Sequence, residues 1–479
     1  MDPYILNQMP GSPDLILKGD ERMEHYREDT MLRGDPDAVM RARDEQEIRE
    51  ALVFCNKNKI PVTFCASQTS MTGASVATEG LLISTEKLEG VVDIGPHRGM
   101  TLAKVRPGTV VADVQRAIEE AGFFYPVAPT SRDECRIGAN VSTNATGEDS
   151  LKYGPLRLYV QSIKVILPDG TEKIFEREPN EVPSAAHNRA GYFVEWQNPI
   201  DLFIGSEGTL GFIAEATLKI LPKSPEFFSA LIPFPSNLKA LECLVDAVKK
   251  RTDSLRTLEY IDCGALNAMK TAEGVPQFPE ATGALLYYKE EFEGQKGKEA
   301  AFDKLYKYVL THVPHMFADA IIIAETPKQK EEFRLWRHRI PEWANEEGRK
   351  YWTVNGGKVG SDWWVPVDNL LEMMDFFYKE ADDLGLPYIA YAHLGRGHPH
   401  TNMFAKTMEE WKHAEEMLIR CCRKAVELGG GVAGEHGIGK IHTNLMPIQH
   451  PMKTIERMKS WKKLYDPNWI LGRGNLFEV

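Results

Sequence analysis

Two stretches near the carboxyl end concentrate groups that bind cations or move protons. The first runs His393-Leu-Gly-Arg396-Gly-His398-Pro-His400-Thr-Asn402, and the second is Gly434-Glu435-His436-Gly437-Ile438-Gly439-Lys440. Neutral imidazoles with a carboxylate suit zinc, manganese or ferrous iron, and such a site keeps positions open for water or a substrate hydroxyl. One loop histidine beside glycine is often a solvated bystander; four with a glutamate argue against that reading. The run Gly429 to Gly434 formally satisfies GxGxxG. A dinucleotide site needs a strand before such glycines and a helix after them, whereas here an amphipathic pattern over roughly 408–427 runs into them, so they read as its C-terminal cap.

A second kind of chemistry is written in small residues. Ile137-Gly-Ala-Asn140-Val-Ser142-Thr-Asn144-Ala-Thr-Gly147 precedes Lys152-Tyr153-Gly154, and Phe203-Ile-Gly-Ser-Glu207-Gly208-Thr-Leu-Gly-Phe212 repeats the logic. Backbone approaches a flat ligand closely where side chains are small, and Asn or Ser can bond a pyrophosphate or a ring edge without burying charge. Read structurally, the two segments are glycine-rich turns.

The elements that must carry these groups are of mixed type. Asp44 caps a helix, with Glu47 completing a box, and Ile48, Ala51, Leu52 and Cys55 share its buried face. Strands are expected at 61–64, 81–84, 162–167 and 214–221. Thr109 is expected to cap a helix with the stripe Val111, Val114, Ala117, Ile118 and Ala121. From 225 to 428 polar helices alternate with apolar runs at 230–235, 284–288 and 320–324. Cys421 and Cys422 fall on the apolar face of a helix and read as core. At 479 residues, against about 150 per domain, the chain should hold two or three domains.

Composition narrows the partners. The 57 Lys and Arg against 69 Asp and Glu leave a net charge of -12, a field that repels phosphate backbones, so nucleic acid is not expected. The seven cysteines contain no CxxC pair, which argues against zinc knuckles and iron-sulfur clusters. No run of about 18 apolar residues is present. The chain opens Met1-Asp2-Pro3 without a basic, apolar secretory start, so a cytoplasmic location is expected, peripheral to the inner membrane face at most.

Taken in order, Tyr26-Arg-Glu-Asp29, Pro126-Val-Ala-Pro129, the 137–147 and 204–212 stretches, Leu258-Glu259-Tyr-Ile-Asp262 and GEHGIGK give the chain a resemblance to the FAD-linked 2-hydroxy acid dehydrogenases. That family includes D-lactate dehydrogenase, the glycolate oxidase catalytic subunit and D-2-hydroxyglutarate dehydrogenase, flavoproteins of the vanillyl-alcohol oxidase type. The resemblance implies an α+β protein: a two-subdomain FAD-binding module (1–223), an α+β cap domain on the substrate side (224–428) and a C-terminal return segment (429–479). It also implies non-covalent FAD, since the loop at 66–73 has no histidine, although Cys65 just before it is a nucleophile.

Site residues follow from the same resemblance. FAD is expected at Ala66, Ser67, Gln68, Thr69, Ser70, Thr72, Gly73, Pro129, Thr130, Gly138, Asn140, Ser142, Asn144, Gly147, Tyr153, Gly154, Glu207, Gly208, Ile213 and Asn475. His393 and His400 match the metal histidines of the family's HxGDGNxH stretch, and Glu435 matches the third ligand. His436 matches the catalytic base, Asn402 a polar substrate contact, Arg339 the arginine that holds the substrate carboxylate, and Lys358 a second carboxylate contact. Arg337 is expected to matter little.

This sequence departs from the family at three places. Its pyrophosphate loop, usually a run of glycines, reads Ala66-Ser67-Gln68-Thr69-Ser70-Met71-Thr72-Gly73, where any position needing positive φ would be strained. Arg396 and His398 stand where the family has Asp and Asn. The ending Gly472-Arg473-Gly474-Asn475 replaces Asn-Pro-Gly-Lys. The implied activity is FAD-dependent oxidation of a 2-hydroxy acid, the D enantiomer, to a 2-oxo acid, with metal-assisted hydroxyl deprotonation. Electrons would pass to an electron-transfer flavoprotein, an iron-sulfur subunit or a quinone, and the chain would act as a homodimer or within a redox complex. The alternatives are an oxygen-using oxidase of the same superfamily and a non-catalytic flavin-binding subunit.

Overall fold

The structure, a computed structural model, describes residues 3–11, 14–269 and 276–478. Met1 and Asp2, read above for the missing secretory start, lie outside them. Two compact units emerge. The first comprises 1–147, 154–224 and 433–479; the second comprises 148–153 and 225–432. Among the described residues no helix is long and apolar enough to cross a membrane.

The first unit holds two main sheets. In one, Ala38–Arg41, Leu81–Ser84 and Val62–Cys65 run parallel in that order, and Leu15–Leu17 joins the edge antiparallel. All four residues of Leu81–Ser84 are buried, as expected of a central parallel strand covered on both faces. The helix Glu45–Asn58 packs on it: Asp44 accepts the Glu47 amide, and Ile48, Ala51, Leu52 and Cys55 are buried at the predicted spacing. The box is displaced by one residue, because Glu47 takes the amide of Arg43. The other sheet is antiparallel, in the order Val91–His97, Met100–Val105, Phe212–Lys219, Val160–Ile166 and Glu172–Glu176. Its neighbouring helix, Val111–Glu120, buries Val111, Val114 and Ile118.

Two local expectations fail there. Thr109 does not cap that helix; its hydroxyl donates to the Arg106 and Gly90 carbonyls and accepts the Gly90 amide, so a turn competes successfully for the side chain. Residues 137–147 are not simply a turn, because Ile137–Thr143 forms a helix that stops at Asn144 in the left-handed region (φ 51°). A Cβ on Gly138 would lie 2.5 Å from that of Pro107, so the missing side chain serves helix packing.

The return segment completes this unit. Val62 bridges to Leu471, and Ile470 and Leu471 are fully buried in the core under the parallel sheet.

The second unit is built on one seven-stranded antiparallel sheet. Its order is Ile322–Ala324, Glu226–Phe234, Ala284–Phe292, Leu255–Ile261, Tyr388–Ala392, His400–Ala405 and Gly357–Gly360. A long helix, Pro327–Arg349, starts from a Thr326/Gln329 capping box and buries Phe333, Trp336, Arg337, Ile340 and Ala344. The helix Met408–Glu427 buries Cys421 and Cys422, and Gly429 (φ 81°) follows its end as read from the sequence.

Candidate active site

The loop after Val62–Cys65 is the first place where chemistry departs from packing. The backbone amides of Ser67 to Met71 donate no hydrogen bond within the chain among the described residues. A run of unspent N–H groups is an anion cradle, the feature a diphosphate requires. Only Gln68 in this loop takes a positive φ without being glycine (51°), and its side chain donates to the Tyr26 carbonyl at 2.9 Å. That bond offsets the strain the sequence implied. Ser67 is anchored by donating to the Glu134 carbonyl (2.7 Å), while Gly73, at φ 73°, donates its amide to Asp29. Ala66, Thr69 and Ser70 are half-buried and Thr72 is buried. Cys65 is buried, and burial pushes its thiol up to about 12, so it stays protonated and unreactive.

Around this cradle the predicted FAD residues divide into two groups. Asn140 keeps a buried Oδ1 with no partner, and Pro129 and Thr130 remain partly or fully accessible, so these can face a ligand. The unspent amides and the orphaned Asn140 oxygen fit FAD. Others hold the backbone. Ser142 donates to the Gly138 carbonyl, Asn144 accepts the Arg157 amide, and Ile213 is buried in its strand. Gly147 has no room for a Cβ, which would meet the Ala128 carbonyl oxygen at 2.2 Å. Gly154 and Gly208 use the left-handed region. Asn475 is spent on the Ala74 and Glu207 carbonyls and on Lys440. Glu207 accepts the Ile438 and Gly439 amides at 2.8 and 2.6 Å, which shapes the loop that carries Glu435 and His436, both half-buried. Tyr153 belongs to the second unit, where its hydroxyl donates to Glu291.

The second unit gathers the rest on one side of its sheet. Lys358, Gly360, Asn402 and Phe404 share a face, because Lys358 pairs with Phe404 and Gly360 with Asn402, and alternate residues point the same way. Tyr391 pairs with His400 on the adjoining strand. Lys358 is buried; its ammonium donates to Asn345 at 2.5 Å, and burial, with Arg349 adding repulsion, lowers it to about 8. The Nδ2 of Asn402 is buried without a partner. His393 follows Ala392, a non-glycine residue held at φ 88°, and its Nδ1 lies 2.7 Å from Glu259 Oε1. Backbone strain of this kind persists only where surroundings over-determine it.

Glu259 was quoted from the sequence without a role, and Arg337 was expected to matter little; both are central. Arg337 is 3% exposed and donates from Nε to Glu259 at 2.6 Å, which corrects its reading as a bystander. Burial opposes the Glu259 charge, but Arg337 and His393 outweigh it and hold the carboxyl below its ordinary range. A charged residue inside the apolar Leu258-Glu259-Tyr260-Ile261 run was the available signal, since a buried charge needs a partner. Arg339, two residues on, has an exposed side chain.

Comparison with known proteins also breaks the chain near residue 224, although its second match runs on through residues 433–476 of the first unit. Residues 36–175 match the family described as FAD binding domain, and residues 224–476 match FAD linked oxidases, C-terminal domain. The chain belongs to the FAD-linked oxidase family. It is an FAD-dependent oxidoreductase, and the unspent amides of the 66–73 loop are consistent with that cofactor. The glycolate oxidase subunit GlcD of Bacillus subtilis is 28% identical, over 92% of this chain and 89% of its own length. The D-lactate dehydrogenase of Anaerostipes hadrus is 27% identical over 97% and 95%, and the D-2-hydroxyglutarate dehydrogenase of Xanthomonas citri 28% over 100% and 98%. Among solved structures, p-cresol methylhydroxylase with substrate bound superposes with a TM-score of 0.72 at 14% identity, covering 99% of this chain and 96% of that one. The 4-ethylphenol oxidase of Gulosibacter chungangensis gives 0.71 at 15%, with the same coverage. These likenesses show the fold, the vanillyl-alcohol oxidase type expected from the sequence.

Proposed function

We propose that this FAD-linked oxidase converts a D-2-hydroxy acid to the 2-oxo acid, with a divalent metal assisting loss of the hydroxyl proton. The observation that carries the reading is Lys358: a buried ammonium that donates to an amide and meets no carboxylate among the described residues, sharing a sheet face with the unspent Asn402 Nδ2. Such a pair suits a ligand that brings its own carboxylate and a neighbouring oxygen. The names of the relatives above, which act on lactate, glycolate or 2-hydroxyglutarate, support the same class.

Each residue then has a task. Lys358 neutralises the substrate carboxylate and Asn402 donates to an oxygen beside it, while Arg339 contributes a second carboxylate contact from the helix Pro327–Arg349. His393, His400 and Glu435 are the proposed metal ligands. Glu259 lies at Nδ1 of His393 and leaves Nε2 for the cation, the usual outer-shell arrangement for a ligating imidazole. A metal bound there would lower the pKa of the substrate hydroxyl. His436 takes the hydroxyl proton. Bound FAD supplies the hydride acceptor. It is held non-covalently, and an electron-transfer flavoprotein, iron-sulfur subunit or quinone reoxidises it.

The test is anaerobic mixing of the purified flavoprotein with D- and L-lactate, glycolate and D- and L-2-hydroxyglutarate, read by bleaching of the flavin. Reduction by a D acid and not by its L partner is expected. Reduction by simple alcohols alone would end the hydroxy-acid reading, and hydrogen peroxide formed in air at the full turnover rate would make the chain an oxidase.

A further inference from the structure

His398 replaces the asparagine of the motif that this chain otherwise resembles, and the structure gives the new imidazole specific neighbours. It is 2% exposed, and its Nε2 lies 2.9 Å from Oδ1 of Asp362, itself 8% exposed. The His400 ring stands 4.9 Å away at 81° to it. One donor atom from each of Asp362, His398 and His400 can be chosen so that all three lie within 4.8 Å of one another. Ligand atoms around a tetrahedral zinc at about 2.0–2.1 Å stand roughly 3.3 Å apart, so small side-chain rotations close the set on one ion.

The backbone holds these three residues in place. Gly360 pairs with Asn402, and the Ser361 amide donates to the Thr401 carbonyl at 2.9 Å, so the ladder carried on past the strand's end brings Asp362 beside His400. The turn carrying His398 is tied to the same segment, for the Val365 amide donates to the Gly397 carbonyl at 3.0 Å. Gly397 itself sits at φ 74°, and a Cβ there would lie 1.8 Å from the Val365 carbonyl oxygen, so the two backbones can meet only at glycine.

We propose that Asp362, His398 and His400 form a divalent-cation site carried wholly by the second unit and independent of Glu435. Two imidazoles and a carboxylate favour zinc, manganese or ferrous iron over magnesium or calcium. The site does not depend on the hydroxy-acid reading. It meets the proposed His393, His400 and Glu435 set only at His400. The two sets share that imidazole and cannot both be filled, so zinc kept by E435Q and lost in H398N would take Glu435 and the metal assistance out of the reaction proposed above while leaving its FAD and hydroxy-acid parts intact.

The full-length protein, stripped with chelator and dialysed against Zn²⁺, provides the test through zinc bound per chain as free zinc is varied. The wild type should bind one equivalent. H398N, which restores the residue of the resembled motif, and D362N should each weaken binding at least tenfold, while E435Q stays within threefold of wild type. Unchanged flavin content and melting temperature show that each variant is folded, and Co²⁺ loading should give ligand-field bands that shift in H398N and not in E435Q. Wild-type affinity in both H398N and D362N, loss of zinc only in E435Q, or no zinc on the wild type would each overturn the site. Because no readout uses substrate, an inactive but zinc-binding protein would sink the hydroxy-acid proposal and leave this one standing.

Discussion

Lys358 and Arg337 are both buried cations on the second unit, yet they differ in what balances them. Arg337 has Glu259, and removing it would leave that buried carboxylate to His393 among the described residues; R337M should therefore cost about 3 kcal/mol in urea unfolding. R339A, at an exposed position, should leave stability unchanged and weaken substrate by roughly 1.5–3 kcal/mol, read as a rise in KM. Lys358 has an amide as its hydrogen-bond partner among the described residues, and burial lowers it to about 8. Below that pH it is charged and attracts a carboxylate; above it the charge is lost. KM for the acid should therefore rise as pH passes upward through about 8, and K358M should show a high KM without that inflection. Arg337 was legible in hindsight, since it lies four residues after Phe333 and three before Ile340 on one helical face. Its partner was not, because Glu259 is 78 positions away in the chain.

At the scale of elements, the 66–73 loop shows how a backbone shape survives a change of residues. Before its closing Gly73 the glycine-free stretch 66–72 carries one left-handed position, Gln68, and pins it through a side-chain bond to Tyr26. Q68G should keep FAD, trading that bond for relief of strain, whereas Q68V, β-branched at positive φ, should purify with less flavin per chain by absorbance. Equal flavin in both would remove the loop's conformation from cofactor binding. Strands at 81–84 and 284–288 could be read from runs of apolar residues, the second continuing through Lys289, Glu290 and Glu291 to Phe292, and most helices from spacing. The short helix Ile137–Thr143 could not, because Gly, Asn, Ser and Thr favour turns, and its close packing at Gly138 against Pro107 joins residues remote in sequence.

For the molecule as a whole, chain order and spatial unit do not coincide. Residues 433–479 return to the first unit and place Ile470 and Leu471 in its core, so a chain ending at 432 should lose solubility and flavin together. The short segment 148–153 belongs to the second unit, where Asp149 takes Arg256 at 2.6 Å and Lys289 at 3.1 Å in the interior. D149A should destabilise that unit by about 1–3 kcal/mol, measured by urea unfolding, because two buried cations lose one of their carboxylates, Lys289 keeping Glu148 and Arg256 keeping Glu291. Local pattern was enough for the sequence to announce the mixed fold and the helix capped by Asp44, since hydrophobic period and capping act within a few residues. Tertiary structure alone decided that Arg337 meets Glu259, that His398 meets Asp362, and which unit receives each chain segment. Those outcomes depend on desolvating charges against partners remote in sequence, and spacing along one chain does not record that contact.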